Sequence, residues 1–392
     1  MACFYTATLA WNPTAVDRLD RCYPDRRPYD FSAGLDARAC DFVGIGALWL
    51  IFFVNIALVY LTFRKIDPAT AAPRTICLGV GLPMLDALER GNLALIAFTC
   101  LVLAFGPLVK SARLRWLAAG LAVNFKIYLI AAIVPLVLKR RWRWAEGALL
   151  SVVIVYLLSY AAFRDGTLTE LAVNIRDFPD RDAPQLLDIW YTTTFQSLML
   201  LLKSNDFPIV LLIGSRNVEL ISVIVPALQY SVQSVILLAM LTTALRPEVI
   251  PSFRLVGLGI LMALVTSEAG GYSQIFFTYF VLMEPCRGAG RKWAIIACYI
   301  LALPLDFIID TTPPVSSSTY LGGQATFINY YVTVGPFLRP LIIMTIAVAL
   351  SLVTIREVWA DIRHQGWAGR WRFRHDLALL PWVRPPSPPV AR

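Results

Sequence analysis

Histidine is nearly absent from this chain of 392 residues, and the two that occur, His364 and His375, both lie near the C-terminus. No residue before His364 can supply an imidazole, which excludes a Ser-His-Asp triad, a histidine-ligated zinc ion and a histidine general base from the preceding part of the chain. The seven cysteines are scattered without a Cys-x-x-Cys motif. Walker A and Gly-x-Gly-x-x-Gly motifs are also missing. The sequence therefore predicts no metal site and no cofactor.

Charged residues are scarce as well. They make up 16% of the chain, whereas hydrophobic residues make up 58% and the mean hydropathy is +0.64. A soluble domain usually contains about 25% charged residues. The charges that are present cluster between long apolar runs, which is typical of a polytopic membrane protein. We expect an all-α membrane protein with about nine to eleven spans.

The basic residues predict an orientation. The net charge is +9, and lysine and arginine lie in short clusters beside apolar runs. Because such clusters normally face the cytoplasm, they do not indicate a nucleic-acid-binding surface. The clusters are at 63–65, 110–115, 139–143, 286–292 and in the C-terminal tail.

This orientation divides the chain into three parts. We expect residues 1–42 to form an extracytoplasmic segment and residues 358–392 a cytoplasmic tail that is basic and proline-rich. Residues 43–357 then form a transmembrane domain with outer loops at 164–190 and 310–335. The expected location is the plasma (inner) membrane, with multiple passes and a cytoplasmic C-terminus.

Lys126 lies inside the apolar run 114–138. Basic clusters flank this run, and a single crossing would place one of them outside. We therefore predict a hairpin of two half-helices that turns near residues 124–126. Broken helices at membrane depth persist only where protein or a water-filled cavity satisfies their backbone. A charge inside a span costs roughly 2.5–3.5 kcal/mol, so Lys126 is either functional or paired for structural reasons.

Four fragments carry a resemblance to a known family through their order and spacing. They are RGNLALIAFTCLVLA (90–104), AAGLAVNFKIYLIAAIVPLVLKRRWR (118–143), FQSLMLLL (195–202) and GGYSQIFFTYFVL (270–282). Together they resemble bacterial polyprenyl-phosphate-sugar-dependent glycosyltransferases of the mannosyltransferase type, which form family 87 of the GT-C class. Asn92 falls in the family's Gly-Gln/Asn element. Lys126 matches a lysine before a Leu/Pro-rich helix, and Gln196 belongs to an Asn-Gln-Ser element in which Phe195 replaces the Asn.

The resemblance implies both a fold and an activity. The fold is a GT-C-like helical bundle with re-entrant or broken half-helices. The activity is hexosyl transfer, with a mannose-like sugar moving from a polyprenyl-phosphate donor to a lipid or glycan acceptor on the extracytoplasmic face. The partners implied are membrane lipids, the donor and the acceptor, without nucleic acid.

The family's general base has no counterpart that can be carried over. In the family, an acidic residue precedes an aromatic pair in the first outer loop, after the first transmembrane helix. FYTATLAWNPTAVDRLDRCYP (4–24) resembles the later half of that loop, so the acidic position falls at Met1 or Ala2. We expect either an earlier start of the natural chain or a different carboxylate. The candidates are Asp17, Asp20, Asp86 and Glu89.

Transfer from a lipid phosphate requires cations that stabilise the departing phosphate. Arg90 and Lys126 are the candidates, because arginine presents a bidentate fork to phosphate and lysine a point charge. Further candidate contacts to the donor or substrate are Asn92, Gln196, Glu268 and Tyr272.

Three other functions remain open at this stage. A transporter or flippase for lipid-linked glycans predicts internal repeats, and no convincing repeat is found. A polymerase or ligase of surface glycans typically has arginine and often histidine in large outer loops, which the scarcity of histidine disfavours. A catalytically inactive relative is consistent with the missing N-terminal acid.

Overall fold

The structure is a computed structural model. It describes residues 34–163, 167–170, 172–173, 193–195, 199, 214–267, 269–305, 307–311, 315–318, 325–328 and 331–366. The helices of these ranges are α1 (Gly34–Ile66), α2 (Ala71–Gly79), α3 (Leu82–Glu89), α4 (Ala94–Phe105), α5 (Ala112–Phe125), α6 (Val134–Leu138), α7 (Trp142–Phe163), α8 (Ser215–Thr243), α9 (Ser252–Thr266), α10 (Gln274–Val281), α11 (Ala289–Leu301) and α12 (Gly335–Gln365). Short 3₁₀ turns lie at Pro68–Thr70, Ile127–Ala132 and Gly271–Ser273.

Four helices of the described ranges are long and apolar enough to cross a membrane: α1, α7, α8 and α12. An α-helix rises about 1.5 Å per residue, so about 20 residues span the hydrocarbon core. The prediction of a helical membrane protein is confirmed. Other apolar helices are shorter than a membrane span. Helix α4, for example, has 12 residues and is only about 18 Å long.

A small β element lies between α11 and α12, where the sequence predicts only an outer loop. Strand β1 (Ile308–Thr311) pairs antiparallel with β4 (Tyr331–Thr333), and β2 (Val315–Ser318) pairs with β3 (Ala325–Ile328).

At the two ends of the membrane domain, α1 and α12 run past the boundaries predicted at residues 42 and 358. Both boundaries therefore fall inside helices.

The chain reverses direction after α5. Helices α5 and α7 run parallel, because Gly147 lies against the Trp116 ring and Gly120 lies against Ser151. Two successive helices can run parallel only if the segment between them returns to the starting end. The 3₁₀ turn at 127–132 and α6 form that return, and they pack along α9. The break in the helix falls where the sequence predicts it.

Basic residues gather at the end of the bundle where α5 begins, which we call the basic end. Several of them donate to carbonyl groups at or just past helix C-termini, which lack partners within their own helix. These hydrogen bonds are Arg115 Nε to Ala104 O (2.6 Å), Lys65 Nζ to Pro107 O (2.8 Å), Arg74 Nη1 to Leu282 O (2.5 Å) and Arg140 Nη2 to Ala244 O (3.5 Å). The cations that predict the orientation therefore also hold the ends of helices α4, α10 and α8.

A buried charge network joins α9, α11 and α12 to the chain just after α10. Arg254 contacts Glu284 with Nε at 2.5 Å and Nη2 at 2.7 Å, and its Nη1 lies 2.7 Å from Glu357. Arg291 contacts both carboxylates. Arg254 is 1% exposed and Glu284 is fully buried. The two arginines and two glutamates balance in charge, as ions removed from water require.

Helix α10 is the centre of the described bundle, and all of its residues are buried. The Tyr279 ring meets the Phe98 ring edge-on at 5.8 Å, and Phe276 lies 6.3 Å from Phe98. Such tilted and edge-on contacts are the favoured geometry for aromatic pairs. Because α10 is enclosed, the chain segments at its two ends are fixed in position. Glu284 follows one end, and Tyr272 precedes the other.

Candidate functional site

Lys126 lies where α5 is interrupted, away from the basic end. Its backbone is extended (φ −143°, ψ 99°) and its side chain is buried, with 6% exposed. The ammonium Nζ lies 3.4 Å from the hydroxyl oxygen of Tyr272 and 5.0 Å from the centre of the Tyr272 ring. An ammonium group over an aromatic face is attracted by the negative potential of the ring. Tyr272 therefore accommodates the charge that the sequence places inside an apolar run.

The loop that carries Tyr272 is held in place from two sides. Gly270 has a φ of +76°, a conformation that suits glycine and turns the chain before the 3₁₀ turn. The hydroxyl groups of Tyr128 and Ser273 are 2.8 Å apart. Tyr128 belongs to the 3₁₀ turn that directly follows Lys126. Its contact with Ser273 therefore links the segment that carries Lys126 to the loop that carries Tyr272.

The last turn of α3 brings an ion pair to the same loop. Arg90 Nε donates to Asp86 Oδ1 at 3.0 Å, an i,i+4 contact on one helix face. The 3₁₀ turn that carries Tyr272 packs against α3, and its backbone lies near the Asp86 carboxylate. Four residues predicted from sequence, Asp86, Arg90, Lys126 and Tyr272, are therefore linked through this turn, because Lys126 contacts Tyr272 and α3 packs against the turn. We call them the Tyr272 cluster.

One oxygen of Asp86 has unused hydrogen-bonding capacity. Oδ2 is buried and has no hydrogen-bond partner among the described residues, while Oδ1 is held by Arg90. The side chain as a whole is 14% exposed. Buried polar atoms without partners are rare because each costs about 1–3 kcal/mol. Asp86 thus has one oxygen that is oriented by Arg90 and one that can accept a further hydrogen bond.

The turn after Arg90 explains the Gly-Asn pair of the sequence. The N–H of Gly91 donates to Leu88 O at 3.0 Å and the N–H of Asn92 donates to Ala87 O at 3.1 Å, which together form a Schellman motif. Gly91 has a φ of +57°. The Asn92 side chain accepts from the N–H of Ala94 at 3.0 Å. The pair ends α3 and starts α4. A sugar contact by Asn92 stays a prediction.

We expect Gly91→Ala to destabilise the protein by about 1–2 kcal/mol, because a Cβ atom penalises the left-handed backbone of this turn. The measurement is thermal unfolding of the purified protein in detergent. Gly44→Ala is the matched control, since Gly44 lies inside α1 with no neighbouring atom within 4 Å of the added carbon. Equal melting temperatures for the two variants would show that the turn does not depend on glycine.

An open groove between α1 and α3 leads to Arg90. Its volume is about 600 Å³. Most of its lining is apolar, and the polar side chains are Glu89 and Arg90. The lining residues are Ile45, Leu48, Trp49, Leu85, Leu88, Glu89, Arg90 and Gly91. Arg90 therefore belongs both to the groove and to the Tyr272 cluster.

The remaining predicted residues divide into two groups. Glu89 is exposed and lines the groove. Asp17, Asp20, Gln196 and Glu268 lie outside the described residues, and their roles stay predictions. Within the described ranges, no three histidine, cysteine or acidic side chains come together as a metal site.

The sequence does not indicate the apolar side of the site. Trp49 and Leu48 line the groove because α1 packs near α3, and no motif in either helix predicts that contact.

Gln274 is a further polar residue next to the Tyr272 loop. It is fully buried, and its amide nitrogen and oxygen have no partner in the part of the chain that is described. In the sequence, the position of Gln274 directly after Gly-Gly-Tyr-Ser is the feature that could have identified it as a candidate site residue.

Comparison with protein-family models, with curated proteins and with solved structures found no match.

Proposed function

We propose that the protein is an integral membrane hexosyltransferase of the GT-C type. It transfers a mannose-like hexose from a polyprenyl-phosphate donor to a lipid or glycan acceptor on the extracytoplasmic face. The observation that best supports this proposal is the Tyr272 cluster. Arg90 pairs with Asp86 beside an apolar groove, and Lys126 contacts Tyr272 in the turn that packs against the same helix, away from the basic end. A lipid with an anionic headgroup needs the same combination of apolar and cationic surfaces.

The groove suits the hydrocarbon part of the donor. Leu48, Trp49, Leu85 and Leu88 offer apolar contacts, and Arg90 lies at the same groove. Burial of apolar surface contributes about 25 cal/mol per Å², so even a few isoprene units gain several kcal/mol in such a groove. With the chain in the groove, the phosphate group comes next to Arg90.

The two cations suit the chemistry of the transfer. When the bond between the sugar and the phosphate breaks, the phosphate gains negative charge. Fixed donors near that position stabilise the transition state more than the ground state. Arg90 lies at the end of α3 and Lys126 at the interruption after α5, on the two segments that pack against the Tyr272 turn. In the proposed mechanism both contact the phosphate.

The positive-inside rule supports an extracytoplasmic position for this site. Lys65, Arg74, Arg115 and Arg140 all lie at the basic end, which the rule assigns to the cytoplasm together with the C-terminal end of α12. In this assignment, the interrupted segments around residues 126 and 270 are half-helices whose ends face the outer side. Short successive helices that reverse direction then supply the additional passes of a GT-C-like bundle.

The test is transfer of radiolabelled mannose from polyprenyl-phosphate mannose in membranes that contain the full chain. We expect the wild type to label an endogenous lipid or glycan, and Arg90→Ala to lower the rate about 100-fold, as expected for loss of one phosphate-stabilising donor. Arg113→Ala is the matched control, because Arg113 is an exposed arginine near the basic end.

Two results would contradict the proposal. Donor binding without any transfer by the wild type would indicate a carrier of lipid-linked sugars or an inactive relative. Equal transfer by wild type and Arg90→Ala would remove Arg90 from the site.

A further inference from the structure

The carboxylates of the described residues differ in what their oxygens contact. Glu284 and Glu357 are bound by the arginines of the charge network, and Asp361 is paired with Arg246 at 3.2 Å near the basic end. Asp86 and Glu146 each keep a buried oxygen without a partner among the described residues, and Asp86 is the one that belongs to the Tyr272 cluster. Glu89 lies on the same helix but is exposed at the groove.

The geometry of Asp86 is that of an oriented base. Arg90 Nε donates to Oδ1 and thereby orients the carboxylate. A general base must be held within hydrogen-bond reach of the proton it accepts. Because Arg90 also lies at the groove, a donor whose phosphate contacts Arg90 brings its anomeric carbon close to Asp86.

We propose that Asp86 is the base that accepts the proton of the acceptor hydroxyl group, an inference that rests on the proposed function. In this step the hydroxyl oxygen bonds to the anomeric carbon, and the bond between that carbon and the phosphate oxygen breaks. The electron pair leaves with polyprenyl phosphate, which becomes a dianion next to Arg90 and Lys126. The hydroxyl proton moves to Oδ2 of Asp86 and is later released to water.

Asp86 would thus take the place of the acidic residue that related enzymes carry in the first outer loop. The departing dianion gives each of the two cations of the cluster a role in the reaction. Before the reaction, Arg90 compensates the charge of Asp86. Afterwards, Asp86 is neutral and the charge of Arg90 compensates the phosphate. The two positive charges of Arg90 and Lys126 are therefore balanced by two negative charges both before and after the transfer.

The experiment compares Asp86→Asn and Asp86→Glu with the wild type, using purified full-length protein in nanodiscs and radiolabelled polyprenyl-phosphate mannose. A general base contributes about 100- to 10,000-fold to the rate, so we expect Asp86→Asn to lose that factor in kcat while it retains the labelled donor. Asp86→Glu keeps a carboxylate and should recover part of the rate. Asp67→Asn is the control, because Asp67 is paired with Arg74 (3.8 Å) near the basic end.

The pH profile separates a base from a structural carboxylate. The charged groups that act on Asp86 are Arg90 and Glu89, and the turn packed against the same helix carries the titratable Tyr272, which contacts Lys126. We expect the wild-type rate to fall as the pH is lowered and Asp86 becomes protonated, and we expect Asp86→Asn to lose this dependence. A wild-type rate and pH profile in Asp86→Asn would overturn the assignment of the base but leave the proposed function intact. A wild type that transfers no sugar would overturn both.

Discussion

Replacing Lys126 by alanine is expected to lower the rate of sugar transfer by about 100- to 1000-fold, the usual loss when one fixed donor to a developing anion is removed. The ammonium group contacts Tyr272, and it lies in the cluster that also contains Arg90. Without it, the departing phosphate keeps one cation instead of two. The measurement is the transfer assay with labelled polyprenyl-phosphate mannose.

The same substitution should not destabilise the fold. A buried ammonium group costs free energy, and its removal takes a contact from Tyr272, which is itself only half-buried. We therefore expect Lys126→Ala to melt at the wild-type temperature or higher while it loses activity. Such an opposition between stability and activity is typical of functional residues.

Lys110→Ala is the matched control for this prediction, because Lys110 is exposed in the turn before α5. Lys126→Arg tests whether charge alone is sufficient; we expect it to retain part of the rate. If Lys126→Ala kept full activity and lost stability, Lys126 would be a structural residue whose contact with Tyr272 only joins two segments.

The second large effect is expected at the buried charge network. Glu284→Gln should destabilise the protein by about 3–5 kcal/mol, because it leaves Arg254 and Arg291 with one carboxylate between them in a buried position. Arg254 loses a charged contact on two of its nitrogens. Thermal unfolding of the purified protein in detergent measures the loss.

A double substitution tests the physical cause. Arg254→Met together with Glu284→Met removes one charge of each sign and leaves Arg291 paired with Glu357. We expect the double variant to be more stable than Glu284→Gln, since no buried charge is then uncompensated. Glu219→Gln, an exposed position in the first turns of α8, is the control. A double variant as unstable as Glu284→Gln would show that packing rather than charge balance determines stability here.

The interruption at Lys126 was predictable because the basic clusters that flank this apolar run are both expected on the cytoplasmic side of the membrane. The run must therefore turn back instead of crossing once. That argument needs only the positions of charges along the chain. From the sequence, Lys126 and Tyr272 were predicted to share a role in binding the donor or substrate, but a direct contact between them was not predicted. Its geometry depends on how the segment 127–138 packs along α9, which the sequence does not specify.

The charge network was not predictable in the same way. Arg254 and Glu284 are single charges beside apolar runs, and each alone indicates a helix end near the membrane surface. Their pairing requires α9 and the end of α10 to lie side by side. The groove was missed for a related reason. Helix α1 is apolar on every side, so its composition does not indicate that the face with Leu48 and Trp49 meets α3.

The return segment after Lys126 packs against α9, which enters the chain long after it. During synthesis, the ribosome has therefore released this segment well before its neighbour exists. Until then, the ammonium group lacks the tyrosine ring that accommodates it. We therefore expect a nascent chain halted before α9 to expose this ammonium group inside an apolar segment and to be degraded faster than the full-length protein.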